Sequence, residues 1–301
     1  MKKRLIVVVG PTASGKSDLT FQLAKDLKSE IIVCDAYQVY LEIDKGINKP
    51  EQANLDLIKH HFVNHLSINE VWHIKRFKEE IETLIKNNPN KNFILEGGSN
   101  LYIDCLLNNY QLQKLDFSLD YNHLTNQQLH DKLKALDFEE SLKIAINNRK
   151  RLIQALRIIE SNNNQKKSQL DKQNQEPLFD FFLVKMEIER KKLYETINKR
   201  AEKMFNNGWK QEVQELIKKY GNSIMETNAL KALGYNEVFY SIIENRKTNL
   251  DLIKQKTRNY AKRQETWIRN KFKIDFKFHS YEEYDKLLNE CKKFLKNTEN
   301  A

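Results

Sequence analysis

Gly10-Pro11-Thr12-Ala13-Ser14-Gly15-Lys16-Ser17 constrains this chain more than any other stretch. It fits the pattern G-x-x-x-x-G-K-[ST]. Leu5-Ile6-Val7-Val8-Val9 precedes it and reads as a buried strand, and Leu19, Leu23, Ala24 and Leu27 follow at helical spacing. Strand, glycine loop and helix in that order make a cradle for phosphate. The loop N–H groups and the N-terminus of the next helix converge on one place and favour an anion there. Lys16 adds a mobile positive charge, and the Ser17 hydroxyl can hold Mg²⁺. The plain alternative is a glycine turn between a strand and a helix. The pattern does not say what becomes of the phosphate, because kinases, GTPases and some transferases all carry it.

Ile31-Ile32-Val33-Cys34 is a second strand, ending at Asp35-Ala36-Tyr37-Gln38. A loop through Gly46-Ile-Asn-Lys-Pro50 and His60-His61-Phe62 follows. Ile74, Phe77, Ile81, Leu84 and Ile85 mark an amphipathic helix. Phe93-Ile94-Leu95 is a third buried strand, ending in Gly97-Gly98-Ser99. Three strand–loop–helix units in series imply an α/β fold with a doubly wound parallel sheet. Loops at the carboxyl ends of such strands form the site. That places the phosphate loop, Asp35 and Gly97 to Ser99 around one crevice.

From about residue 115 the strand signal vanishes. Leu129, Leu133 and Leu136, then Leu142, Ile146, Ile153 and Leu156, read as helices. Ser161 to Glu176 is almost wholly polar and reads as a loop or disordered connector. Phe179 to Val184 restores a strand, and long helices follow over roughly 189–220 and 248–272. Residues 1–114 and 179–301 are therefore expected to form the α/β core, with 115–178 as a helical insertion.

No apolar run reaches the roughly 18 residues of a membrane span. The basic start, Met1-Lys-Lys-Arg, precedes only five apolar residues and reads as the first strand rather than a signal peptide. Cys34, Cys105 and Cys291 are odd in number and widely spaced, which excludes a disulfide framework and shows no zinc spacing. His60, His61 and His65 lack a companion ligand at metal spacing and read as structural. A cytoplasmic monomer is expected. The formal net charge of +10 suits a partner that is a polyanion. A chain rich in Lys, Asn and Ile also acquires part of such an excess from genome composition.

Asp35 ends its strand opposite the phosphate loop, where it is either a general base or a turn and cap residue. Gly97-Gly98-Ser99 is either a close approach to a ligand or a plain turn. The segment Thr257 to Lys273 holds six basic residues and one acidic, with Tyr260 and Trp267 interleaved. Arg258, Lys262 and Arg269 recur near one helical face, fit to track a phosphate backbone. The alternative is a solvated basic helix whose aromatics lie in the core. Arg200 by itself reads as an ordinary surface arginine.

Taken in order, these pieces resemble the tRNA dimethylallyltransferases (tRNA isopentenyltransferases). The resemblance is carried by Gly10 to Ser17, Asp35-Ala-Tyr-Gln-Val-Tyr40, Gly46-Ile-Asn-Lys-Pro50 and Gly97-Gly-Ser-Asn-Leu-Tyr102. It continues through Asn148 to Leu156, Arg190 to Arg200, Ala232-Leu-Gly-Tyr235-Asn-Glu237 and Tyr260 to Arg269. It implies a P-loop NTPase-like sheet with a helical insertion that binds tRNA. It implies transfer of a dimethylallyl group from dimethylallyl diphosphate to N6 of the adenosine just 3′ of the anticodon, with diphosphate released. Gly10, Pro11, Thr12, Ala13, Ser14, Gly15, Lys16 and Ser17 would hold the diphosphate, with Mg²⁺ on Ser17. Lys16 and Arg200 would stabilise the leaving group, and Asp35 would take the N6 proton. Asp35, Ala36, Tyr37, Gln38 and Ser99 would contact the RNA at the site. Lys150, Arg151, Leu152, Ile153, Gln154, Arg258, Lys262, Arg263 and Arg269 would hold the anticodon stem-loop. Three positions depart from the family pattern: Ala36 and Ile47 replace common hydroxyl residues, and Ser99 replaces Thr. The rivals are a P-loop kinase of a small metabolite, an isopentenyltransferase of free nucleotides, and an RNA-binding protein with a degenerate loop.

Overall fold

The computed structural model describes residues 2–113, 116, 118–170 and 176–296. The chain forms two compact units, Met1–Leu107 with Leu178–Ala301, and Asn108–Pro177.

The first unit is built on six parallel strands. They are β1 (Lys3–Val9), β2 (Ser29–Val33), β3 (His60–His61), β4 (Asn92–Gly97), β5 (Phe179–Met186) and β6 (Phe276–Phe278). Their order across the sheet is β3-β2-β4-β1-β5-β6. Its helices before the insertion are α1 (Lys16–Asp26), α2 (Gln52–Leu57), α3 (Ile74–Asn87) and α4 (Asn100–Leu107). The second unit holds α5 (Asn126–Leu136), α6 (Phe138–Ser141), α7 (Arg149–Ser161) and α8 (Lys167–Leu170). The first unit resumes with α9 (Arg190–Met204), α10 (Lys210–Tyr220), α11 (Tyr235–Ile243), α12 (Leu250–Lys271) and α13 (Tyr284–Lys296).

Alternation along β1 explains why helices cover both faces. Leu5, Val7 and Val9 point into a core with Phe77, Ile81, Ile253 and Ile268, on α3 and α12. Ile6 and Val8 point into the other, with Leu19, Leu23 and Leu287, on α1 and α13. A strand buried on both sides reads as a continuous apolar run, as Leu5 to Val9 does. The helical unit has its own core of Leu129, Leu133, Leu152, Leu156 and neighbours.

The structure corrects five sequence expectations. His60–His61 is an edge strand, and Phe276–Phe278 adds a sixth strand too short to show periodicity. The expected helix over 189–220 breaks into α9 and α10 at a π-helical turn, Phe205–Trp209, where Gly208 has φ 99°. That left-handed backbone suits glycine and lets Trp209 turn inward to meet Tyr235, ring centroids 5.3 Å apart. Leu142 and Ile146 lie outside helices and are exposed rather than packed. The polar connector carries the short α8, and its residues 171–175 lie outside the described ones.

Candidate active site

The carboxyl ends of β1, β2, β4, β5 and β6 open into one cavity of about 1250 Å³. Sheet order reverses around β1: β2 and β4 lie to one side, β5 and β6 to the other. A crevice forms at such a switch point. Thr12 to Ser17, Asp35 to Gln38, Gly46 to Asn48, Glu96 to Ser99 and Arg200 all line it. The sequence reading placed the first, second and fourth of these around one crevice, and they meet there.

The loop after β1 enters α1 through Gly15, whose φ of 84° is left-handed. The Lys16 ammonium donates to the Pro11 carbonyl at 3.0 Å. Burial pulls the Lys16 pKa down to about 8, Glu96 and Asp35 oppose this, and Arg200 adds to it. A lysine so placed lacks a full counter-charge and is matched to an incoming anion.

Arg200, on α9, is not an ordinary surface side chain. It is half-buried in the cavity and donates to Thr12 Oγ1. Burial lowers its pKa and the Asp35 carboxylate opposes that shift. Long-range packing of α9 supplies this second cation, which no local signal announced.

Asp35 takes the turn role that its position left open. Its Oδ1 accepts the N–H groups of Tyr37 at 2.8 Å and Gln38 at 3.1 Å. This fixes the loop as an Asx-type turn. The carboxylate still lines the cavity. Gln38 brings a carboxamide oxygen that is buried and has no partner among the described residues. Gly97 is a glycine because a Cβ there would lie 2.1 Å from the Cys34 carbonyl oxygen. That close approach lets Ser99 N–H donate to the same carbonyl at 3.2 Å.

Gln264 was missed as a site residue. It lies on α12, is 4% exposed, accepts the Thr12 N–H and donates to the Gly98 carbonyl, both at 2.8 Å. Its signal was a polar residue on the apolar face shared by Ala261 and Ile268. Tyr260 donates to the same Gly98 carbonyl at 3.1 Å, and the Arg263 guanidinium lies 5.7 Å from the Tyr260 ring centroid. Glu96 was also missed, although an acid ends an otherwise apolar strand. It is 3% exposed, Ser17 Oγ donates to its Oε1 at 3.2 Å, and its Oε2 has no partner among the described residues. Burial raises its pKa, partly countered by Lys16. A hydroxyl beside an under-satisfied carboxylate is a donor set suited to a hard divalent cation. Among the described residues, no group of three or more His, Cys, Asp or Glu could hold a metal by itself.

The Gly46 loop is held from behind. Tyr235 OH donates to Glu212 Oε1 at 2.7 Å and accepts the Gly46 N–H at 3.2 Å. Glu212 Oε2 accepts the N–H groups of Asp44 and Lys45, each at 2.7 Å. Tyr235 is fully buried and is a support for the loop, not part of the cavity wall.

The remaining expected contacts separate by surface. Lys262, Arg263 and Arg269 are exposed on α12, while Arg258 is half-buried and donates to Asn198 Oδ1 at 2.6 Å. On α7, Lys150, Arg151 and Gln154 are exposed and Ile153 is half-buried. Leu152 is the exception to the expected RNA contacts: it is fully buried in the core of the helical unit, since it shares the apolar stripe of Leu156 and Ile159. His61 pairs with Glu30 at 2.7 Å and His65 with Glu80 at 2.8 Å.

The sequence pattern of the IPP transferase family matches residues 38–271. The chain belongs to the IPP transferase family. It is 75% identical over 295 residues to the tRNA dimethylallyltransferase of Malacoplasma penetrans (strain HF-2), covering 98% of this chain and 99% of that relative. The crystal structure of the tRNA delta(2)-isopentenylpyrophosphate transferase of Staphylococcus epidermidis aligns with a TM-score of 0.69 at 30% identity, over 98% of this chain and 100% of that one. A eukaryotic dimethylallyltransferase acting on tRNA shares the fold, with a TM-score of 0.84 at 24% identity, over 98% of this chain and 80% of that one. The IPP transferase assignment fits the α/β sheet and the phosphate loop at its crevice. Two departures from the family pattern, Ala36 and Ile47, line this cavity together with Ser99.

Proposed function

We propose that this chain transfers a dimethylallyl group from dimethylallyl diphosphate to N6 of the adenosine just 3′ of the anticodon of a tRNA. The observation that carries the reading is one cavity holding two unlike subsites. Lys16 and Arg200 offer positive charge at the glycine loop, and the Asp35 carboxylate faces the same space.

The N6 lone pair attacks the allylic carbon, and the bond from that carbon to the diphosphate oxygen breaks. Diphosphate leaves with the electron pair, and Asp35 takes the N6 proton. Backbone N–H groups of Ala13 and of Gly15 to Ser17, with the Lys16 and Arg200 side chains, stabilise the charge that grows on the leaving oxygens. Ser17 would hold Mg²⁺, which would supply further neutralisation of the diphosphate. An exocyclic adenine amine is a poor nucleophile, so orientation supplies much of the rate. The adenosine leaves its stack to reach a cavity at this depth. The unpartnered Gln38 carboxamide is suited to read the base edge, with Ala36, Tyr37 and Ser99 beside it. Arg258, Lys262, Arg263 and Arg269, with Lys150, Arg151, Ile153 and Gln154 of the helical unit, hold the anticodon stem-loop through phosphates and splayed bases.

Asp35→Asn tests the assignment. Transfer should be nearly abolished, while affinity for an anticodon stem-loop stays close to normal. Equal loss of both contradicts a proton-accepting role.

A further inference from the structure

We infer that Glu96 is a protein ligand of the divalent cation, completing with Ser17 a two-residue cation site at the carboxyl end of β4. The inference rests on the reading of the cavity as a diphosphate site. Three observations carry it. Glu96 Oε1 lies 3.2 Å from Ser17 Oγ. Two oxygens bound to one Mg²⁺ at neighbouring positions, each about 2.1 Å from it, lie about 3 Å apart. Glu96 Oε2 is buried and has no hydrogen-bond partner among the described residues. A buried carboxylate oxygen left unpaired is costly, and a bound cation removes the cost. Lys16 acts on Glu96 through its charge, while its ammonium donates to the Pro11 carbonyl.

The strand register explains how the acid comes to stand there. Glu96 pairs with Val8, the last position but one of β1, so it lies beside the glycine loop as that loop leaves the sheet. The Cys34 N–H donates to the Glu96 carbonyl at 2.6 Å, which locks its backbone to the start of the Asp35 loop. One carboxylate, one hydroxyl, phosphate oxygens and waters form a ligand set that Mg²⁺ accepts, since it is usually held by one or two carboxylates and its substrate phosphates. The site therefore takes its ion together with diphosphate rather than ahead of it.

The test is Mn²⁺ titration of the full chain by electron paramagnetic resonance in the presence of inorganic pyrophosphate. Replacing even the residues that merely orient metal ligands costs 10–100-fold in affinity, so Glu96→Gln should weaken Mn²⁺ binding by about tenfold or more. A smaller loss overturns the inference and leaves Glu96 as a hydrogen-bond partner of Ser17. A second measurement needs no variant and covers a failure of Glu96→Gln to fold. Chain labelled with ¹³C at the glutamate side-chain carboxyl should show a ¹³C coupling to bound Mn²⁺, and no coupling overturns the inference. Label transfer by the unmodified chain separates the two claims. Transfer with full Mn²⁺ affinity in Glu96→Gln sinks the cation site alone. Mn²⁺ held through Glu96 without transfer sinks the functional reading and leaves the cation site standing.

Discussion

Gln264 accepts the backbone N–H of Thr12 at 2.8 Å, although 252 residues separate them. Its other carboxamide atom donates to the Gly98 carbonyl. One side chain on α12 thus joins the phosphate loop to the loop after β4. Gln264→Ala leaves a donor on Thr12 without its acceptor, while the Gly98 carbonyl keeps the Tyr260 hydroxyl and the Asn100 N–H. The cost should be about 1–3 kcal/mol in chemical denaturation. Transfer should fall more than stem-loop binding, because the lost contacts shape the diphosphate subsite. Unchanged stability and unchanged rate would show that the bridge is dispensable.

Lys16 sets a pH dependence for anion binding. Its pKa of about 8 means that the free site loses this positive charge as pH rises through that value. Pyrophosphate affinity of the wild type, relative to Lys16→Arg whose charge is fixed, should fall above pH 8, by at most about tenfold per pH unit. Folding has the opposite slope. Between about 8 and 10.5 the unfolded chain keeps a proton that the folded chain has lost, so this group makes the folded state more stable as pH rises. A ratio of affinities that stays flat from pH 7 to 9.5 would contradict the lowered pKa.

Gly97→Ala tests how tightly β4 ends against β2. Its new Cβ would meet the Cys34 carbonyl at 2.1 Å, and backbone on that side has little room to move. Destabilisation should reach about 3 kcal/mol or more, seen as a lower denaturation midpoint. A wild-type midpoint would mean that the two strand ends separate easily.

Arg263 and Arg269 are exposed on α12 and are assigned to RNA phosphates. Replacing each by Ala should weaken stem-loop binding and flatten its dependence on salt. Two lost phosphate contacts should reduce the slope of log K against log[salt] by about 1.4 on single-stranded RNA. The same slope in the double variant assigns the two arginines to solvent.

Legibility in the sequence followed distance along the chain. The phosphate loop sits between β1 and α1, so eight consecutive residues disclosed its place in the fold. Asp35 and Gly97 were readable because each ends an apolar strand. Gln264 was not, and Arg200 came only through the family resemblance, because helices that pack across the sheet deliver them to Thr12 from 252 and 188 residues away. The break at Gly208 was hidden inside a helical pattern on either side, and only the burial of Trp209 against Tyr235 explains it. Leu152 was expected at the RNA through the family resemblance, yet its spacing with Leu156 and Ile159 already marked a core position.

Transfer of radiolabel from dimethylallyl diphosphate, with Mg²⁺, tests the central claim most directly. The acceptors are an anticodon stem-loop with adenosine 3′ of the anticodon and, in parallel, AMP. Label on the stem-loop and none on AMP is the predicted result. Label on AMP alone, or on neither with folded protein, would contradict it.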